Sequence, residues 1–157
     1  MVRFRRIAHA GKSLVFLTAL SGALVAGIDA GLTYNSWPKM ADKWIPDDLL
    51  ARYPLWKNFF ENPTTVQFDH RRLGEITYCV LTAAWLYSRR LPLSPRMRTA
   101  VNCVQLAATA QVLLGITTLL TYVPTSMASI HQAGALTLLS TAIWLTHELK
   151  FIKYLPK

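Results

Sequence analysis

PTTVQFDH (Pro63 to His70) and PTSMASIH (Pro124 to His131) each open a long apolar segment, and reading the two together decides the fold. Proline suits the first turn of a helix, where its missing N–H would have had no partner, so each stretch marks a helix entry. Each histidine stands seven residues beyond its proline, roughly 10 Å along a helix that rises 1.5 Å per residue. The chain thus writes one helix start twice, with an imidazole at matched depth in an apolar setting.

Outward from these starts the composition is that of an integral membrane protein. The chain has 157 residues, 52% hydrophobic and 16% charged, with a mean hydropathy of +0.26, well above a soluble domain of this size. Four segments, 13–32, 64–87, 99–121 and 125–146, reach the roughly 20 mainly apolar residues that cross a bilayer core. The expected fold is all-α, a four-helix transmembrane bundle over 13–157 preceded by a basic inner segment, 1–12.

The net charge of +9 does not call for nucleic acid, because its placement is topological. Four spans put the N-terminus, the 88–98 loop and the C-terminus on one side. That side holds Arg3, Arg5, Arg6, Lys12, Arg89, Arg90, Arg96, Arg98, Lys150, Lys153 and Lys157 against one acid, Glu148. The other side mixes Lys39, Lys43, Arg52, Lys57, Arg71 and Arg72 with seven acids between Asp29 and Glu75. Lys and Arg in short loops stay on the cytoplasmic or matrix side, so both termini are expected to face inward. The basic start runs into a full-length span with no cleavage pattern of a signal peptide. Cys79 and Cys103 fall within spans and read as small buried hydrophobes, with an inter-helix disulfide as the alternative.

The first outer loop carries Tyr34, Trp37, Trp44, Tyr53 and Trp56, as suits a segment at headgroup level. The second outer connection is only Tyr122-Val123-Pro124, which makes the helices on either side antiparallel neighbours. Ala19, Ala23, Gly27 and Gly31 form a small-residue stripe on the first span, read either as plain helix packing or as room for a flat ligand. Gln111, midway along the third span, is expected to hydrogen-bond between helices.

Ionisable groups inside a membrane are costly and mark a functional interior. His70 and His131, entering from one side at similar depth, suit six-coordinate haem iron, for which imidazole is a common axial ligand and a bundle core a common site. Gly74 and Gly134 share their faces and would leave room for a porphyrin. Arg71 could pair with a propionate, since guanidinium meets carboxylate bidentately. Packing histidines and a helix end anchored by Arg71 and Arg72 are the plain alternatives. His9 and His147 read as interfacial, and Glu75 is left without a role. No phosphate loop, CxxC, HExxH or serine elbow is present, so hydrolytic and nucleotide chemistry have no support.

Three stretches carry a family resemblance: GALVAGIDAGLTYNSWPKM (Gly22 to Met40), NFFENPTTVQFDHR (Asn58 to Arg71) and QVLLGITTLLTYVPTSMASIHQ (Gln111 to Gln132). Together they resemble the C-terminal half of mitochondrial heme A synthase. That family is similar to two fused four-helix bundles related by a pseudo-twofold axis, each with a histidine pair. The resemblance implies an oxidoreductase of the mitochondrial inner membrane, with both termini in the matrix. It implies oxidation of a haem O ring methyl to the formyl of haem A for cytochrome c oxidase biogenesis. This half would hold a resident haem B for electron transfer, and the pair carries over to His70 and His131 as iron ligands. The substrate half of the family has a catalytic glutamate three residues before its first histidine; here that position is Gln67, which agrees with the cofactor half. The implied partners are membrane lipid, haem, the N-terminal half or a second copy, haem O synthase, and an electron donor or acceptor. The rival from another class is a non-catalytic haem-binding or oxidase-assembly module; a third reading is a bundle with no cofactor.

Overall fold

Four long helices and one short one make up the computed structural model, which describes residues 1–150. They are α1 (Val2–Gly27), α2 (Asn58–Glu61), α3 (Pro63–Ser88), α4 (Pro95–Leu120) and α5 (Thr125–Glu148), and no strand occurs among the described residues. Lys153, Lys157 and the end of the bundle drawn to 157 lie outside them. The chain is an all-α membrane bundle, as expected.

Local chemistry sets the helix starts. Asn62 caps α3 by accepting the Thr64 N–H at 3.0 Å, with Pro63 as the first helical residue. Ser94 does the same for α4, accepting the Met97 N–H at 3.3 Å ahead of Pro95. The repeat is not perfect here, because Pro124 stands one place before α5 rather than inside it. Three of the expected spans match α3, α4 and α5 to within a few residues. The first does not: α1 starts at Val2, through the basic segment, and stops at Gly27. Asp29 then takes a left-handed φ of 53°, and Ala30–Leu32 form a separate 3-10 turn.

By length and composition α1 and α4 are apolar enough to cross a membrane. The histidine helices are long enough, 26 and 24 residues, but neither has so continuous an apolar stretch. Asp69, His70, Arg71, Arg72 and Glu75 crowd one end of α3, and His147 and Glu148 close α5. At 1.5 Å per residue both exceed the ~30 Å hydrocarbon core, which leaves their ends for the polar groups.

α1 and α4 each pack against both α3 and α5, so the two histidine helices share a diagonal. The start of α1 meets the end of α3, where the Phe4 and Tyr87 rings lie 6.4 Å apart. The start of α4 meets the end of α5, where Arg96 pairs with Glu148 at 3.0 Å. The N-terminus, the α3–α4 loop and the end of α5 therefore gather at one end. There too sits the core: Phe4, Ala8, Val15, Leu81, Met97, Val101, Leu138, Leu145 and Leu149 are all buried. At the level of His70 and His131, toward the other end, α1 and α5 are only half-buried, while α3 keeps Val66, Gln67 and Arg71 buried.

Two further expectations meet the structure. Gln111 does bridge helices, donating from Nε2 on α4 to the His131 carbonyl on α5 at 2.8 Å. The cysteines are free, and Cys79 is exposed rather than buried, Cys103 half-buried. In a membrane the outward face of a helix meets lipid, so a small apolar side chain is tolerated there as readily as in the core.

Candidate functional site

His70 lies on α3, and the residues around it come from α1, 48 or so positions earlier in the chain. Its Nδ1 is 2.8 Å from the Ser21 hydroxyl, which also lies 2.8 Å from the Thr18 carbonyl. The neighbouring Gly22 faces the ring: a Cβ there would stand 3.1 Å from Cε1 and 3.7 Å from Nε2 of His70. Glycine lets that edge of the imidazole pack directly against the α1 backbone.

His131 repeats the arrangement with other helices. It lies on α5 against Gly115 of α4, where a Cβ would come within 2.9 Å of Cε1 and 3.4 Å of Nε2. Its Nδ1 is buried and has no hydrogen-bond partner. An orphaned ring nitrogen inside a helical bundle calls for an explanation. Each imidazole is thus seated on a glycine of the adjacent helix, and the two stand on diagonal elements.

The glycines named from sequence part company. Around Gly74 nothing comes within 4 Å of where a Cβ would be, so that position is open. Gly134 is not: its missing side chain admits the carboxamide of Gln111, and the room is used for the bond to the His131 carbonyl rather than left for a flat ligand.

Arg71 is buried and holds the outer loop. Nη1 donates to the Ser36 carbonyl at 2.9 Å, and Nη2 to the Tyr34 carbonyl at 2.7 Å and to Gln67 Oε1 at 3.1 Å. Its Nε has no partner. Gln67 in turn donates from Nε2 to the carbonyls of Ala30 at 2.8 Å and Tyr34 at 3.2 Å. Both polar atoms of Gln67 are therefore engaged, Nε2 tying α3 to the chain just beyond α1 and Oε1 accepting from Arg71 within α3. Arg72 pairs with Glu75 at 2.8 Å and stacks over Phe68, which supplies the role Glu75 lacked.

A second set of bonds closes the loop onto the start of α3. Thr64 donates its hydroxyl to Asp48 at 2.5 Å, Tyr34 donates to the same carboxylate at 3.0 Å, and Asn62 donates to the Asp48 carbonyl at 3.0 Å. The Thr64 hydroxyl holds the Asp48 carboxyl below its ordinary range. Burial, with Asp48 beside it, pushes the Tyr34 phenol up. Asn35 reaches the opposite helix, donating to the Leu119 carbonyl at 2.9 Å. The loop is therefore a fixed cover over the end of the bundle that carries the histidines.

This donor set suits a particular chemistry. A bare ion needs three or more protein ligands, and the described residues gather no such group. Iron already held by four porphyrin nitrogens needs only two, and imidazole is a common ligand for it. His9 lies half-buried near the start of α1 and His147 exposed near the end of α5, far from this end of the bundle. Ser21, Gly22 and Gly115 went unremarked in the sequence as individual positions.

Comparison with known proteins places the chain among relatives. Residues 1–143 match the family model of the cytochrome oxidase assembly protein COX15-CtaA. Heme A synthase COX15 of Bos taurus is 55% identical over 150 residues, covering 96% of this chain and 36% of the relative. The Homo sapiens protein of the same name is 53% identical over 150 residues, covering 96% and 37%. Heme A synthase of Nitrosospira multiformis is 46% identical over 138 residues, covering 88% and 39%. The chain therefore spans a little over a third of the length of these relatives. No solved structure matches it.

Proposed function

Because the chain belongs to the COX15-CtaA family of cytochrome oxidase assembly proteins, we propose that it is the part of a heme A synthase that holds a resident haem B, with His70 and His131 as its axial ligands. The relatives named heme A synthase make this an oxidoreductase family. The whole activity, conversion of the haem O methyl to the formyl of haem A, is assigned here to the full-length enzyme, and this chain spans a little over a third of its relatives' length. The observation that carries the reading is the seating of two imidazoles, from diagonal helices, each on a glycine of the helix beside it.

When bound, a haem with both axial positions filled supplies one-electron transfer rather than oxygen binding. The chain's own residues do the rest. Gly22 and Gly115 let the rings close on the neighbouring helix backbones, and Gly74 adds open room on the His70 helix. Arg71 spends both Nη atoms on the loop, so Nε–H is the donor it has left for a propionate. Gln67, with no charge and no free polar atom, holds backbone and carries no proton. Catalytic residues are proposed to lie in the remainder of the enzyme.

The proposed setting is the mitochondrial inner membrane, with the basic end, including both termini, in the matrix. The proposed partners are the other half of the enzyme or a second copy, haem O synthase, and an electron donor or acceptor.

The test is spectral. The purified chain, loaded with haem B, is expected to show a low-spin six-coordinate spectrum, and His70→Ala and His131→Ala are each expected to abolish it. An unchanged spectrum in both variants overturns the assignment. The family description as an assembly protein favours one further reading, a haem-holding assembly module without catalysis. Restoration of haem A by the chain in a cell lacking the synthase, alone or with the missing helices, decides for the enzyme; failure of both decides for the module.

A further inference from the structure

Resting on the haem reading above, we infer that Ser21 is a positioning residue: it holds His70 as the Nδ1–H tautomer, leaves Nε2 as the iron-binding nitrogen, and makes His70 the more electron-rich of the two axial ligands.

The argument is a count of protons. A serine hydroxyl has one proton to give and two lone pairs. Ser21 Oγ lies 2.8 Å from the Thr18 carbonyl oxygen and 2.8 Å from His70 Nδ1. A carbonyl oxygen only accepts, so the Ser21 proton goes to Thr18, one turn back on the same helix, an ordinary contact for a helical serine. The hydroxyl then meets His70 as an acceptor, and Nδ1 must bring the hydrogen. Neutral imidazole carries one N–H, so the lone pair stands on Nε2.

His131 has no equivalent. Its Nδ1 is buried with no partner, and Gly115, against which the ring lies, offers no side chain. One ligand is therefore oriented by a hydrogen bond and the other by packing alone. A hydrogen bond accepted from the far nitrogen raises the basicity of a metal-bound imidazole, and a more basic axial ligand favours the oxidised iron and lowers its reduction potential. The pair is chemically unequal although the sequence writes its two halves alike.

Three measurements test this. Ser21→Ala, loaded with haem B, is expected to keep six-coordinate iron but to show a raised reduction potential and about 10- to 100-fold weaker haem binding. Ser21→Thr, which keeps the hydroxyl, is expected to restore both. Nitrogen-15 NMR of the haem-free, unaltered chain in detergent is expected to find His70 protonated on Nδ1. Unchanged potential and affinity in Ser21→Ala, or a proton on Nε2 of His70 in the haem-free chain, overturns the inference. The NMR result stands even where Ser21→Ala fails to fold. The haem reading itself fails separately, by persistence of the haem spectrum in both histidine variants.

Discussion

A methyl group added at Gly115 would sit 2.9 Å from Cε1 of His131, and one at Gly22 would sit 3.1 Å from the same atom of His70. Both approaches are too close for an undisturbed ring, the first more so, and overpacking of this kind costs about 1–3 kcal/mol. Gly115→Ala is therefore expected to swing the His131 ring and weaken haem binding at least tenfold, with Gly22→Ala milder; titration of the haem-free variants with haem B checks both. The histidines themselves were legible because each follows its own proline at the same interval. Their glycines were not, since the contact joins separate helices. The chain does repeat Gly-Ile-x-x-x-Leu-Thr-Tyr, at 27–34 and 115–122, but that register pairs Gly115 with Gly27, which has nothing within 4 Å. Only the packing of α1 on α3 selects Gly22.

Between α4 and α5 two consecutive residues, Tyr122 (φ 61°) and Val123 (φ 56°), adopt left-handed backbone, a region costly for side chains with a Cβ and most so for a branched one. Val123 has a compensation: it packs on Gly31, where an added Cβ would meet it at 3.0 Å. Tyr122 is exposed. Tyr122→Asn is expected to raise stability by about 1 kcal/mol, read as a higher thermal midpoint in detergent. The turn's shortness was plain from sequence and correctly made α4 and α5 neighbours; its handedness was not, because neither residue is one that usually signals it. The outer loop offers a second test. Asp48 titrates below the ordinary 3.8 because the Thr64 hydroxyl donates to it. Its contribution to holding the loop is therefore complete above that pH and fades as pH falls through the lower folded value. Thr64→Val removes the donor and returns Asp48 toward 3.8, so acid release of the loop, followed by tryptophan fluorescence, is expected at a higher pH. The aromatic loop was read from its composition, yet its attachments were hidden, since Arg71 and Gln67 spend their donors on backbone carbonyls that any sequence would supply.

Across the whole molecule, the Phe4–Tyr87 and Arg96–Glu148 contacts gather the start of α1, the α3–α4 loop and the end of α5 at one end, as four spans require. The start of α1 was missed because a membrane criterion counts apolar residues, whereas Phe4 and Ala8 anchor a helix that runs through its arginines. The buried apolar side chains, meanwhile, are concentrated at that basic end, and the histidine end is held mainly by buried polar groups and its loop. A bundle anchored at one end stays assembled whatever its other end holds. The apoprotein is accordingly expected to persist as an assembled receptor, its backbone amides from 81 to 108 resisting deuterium before any porphyrin arrives. Those flanking His70 and His131 should become slow only afterwards.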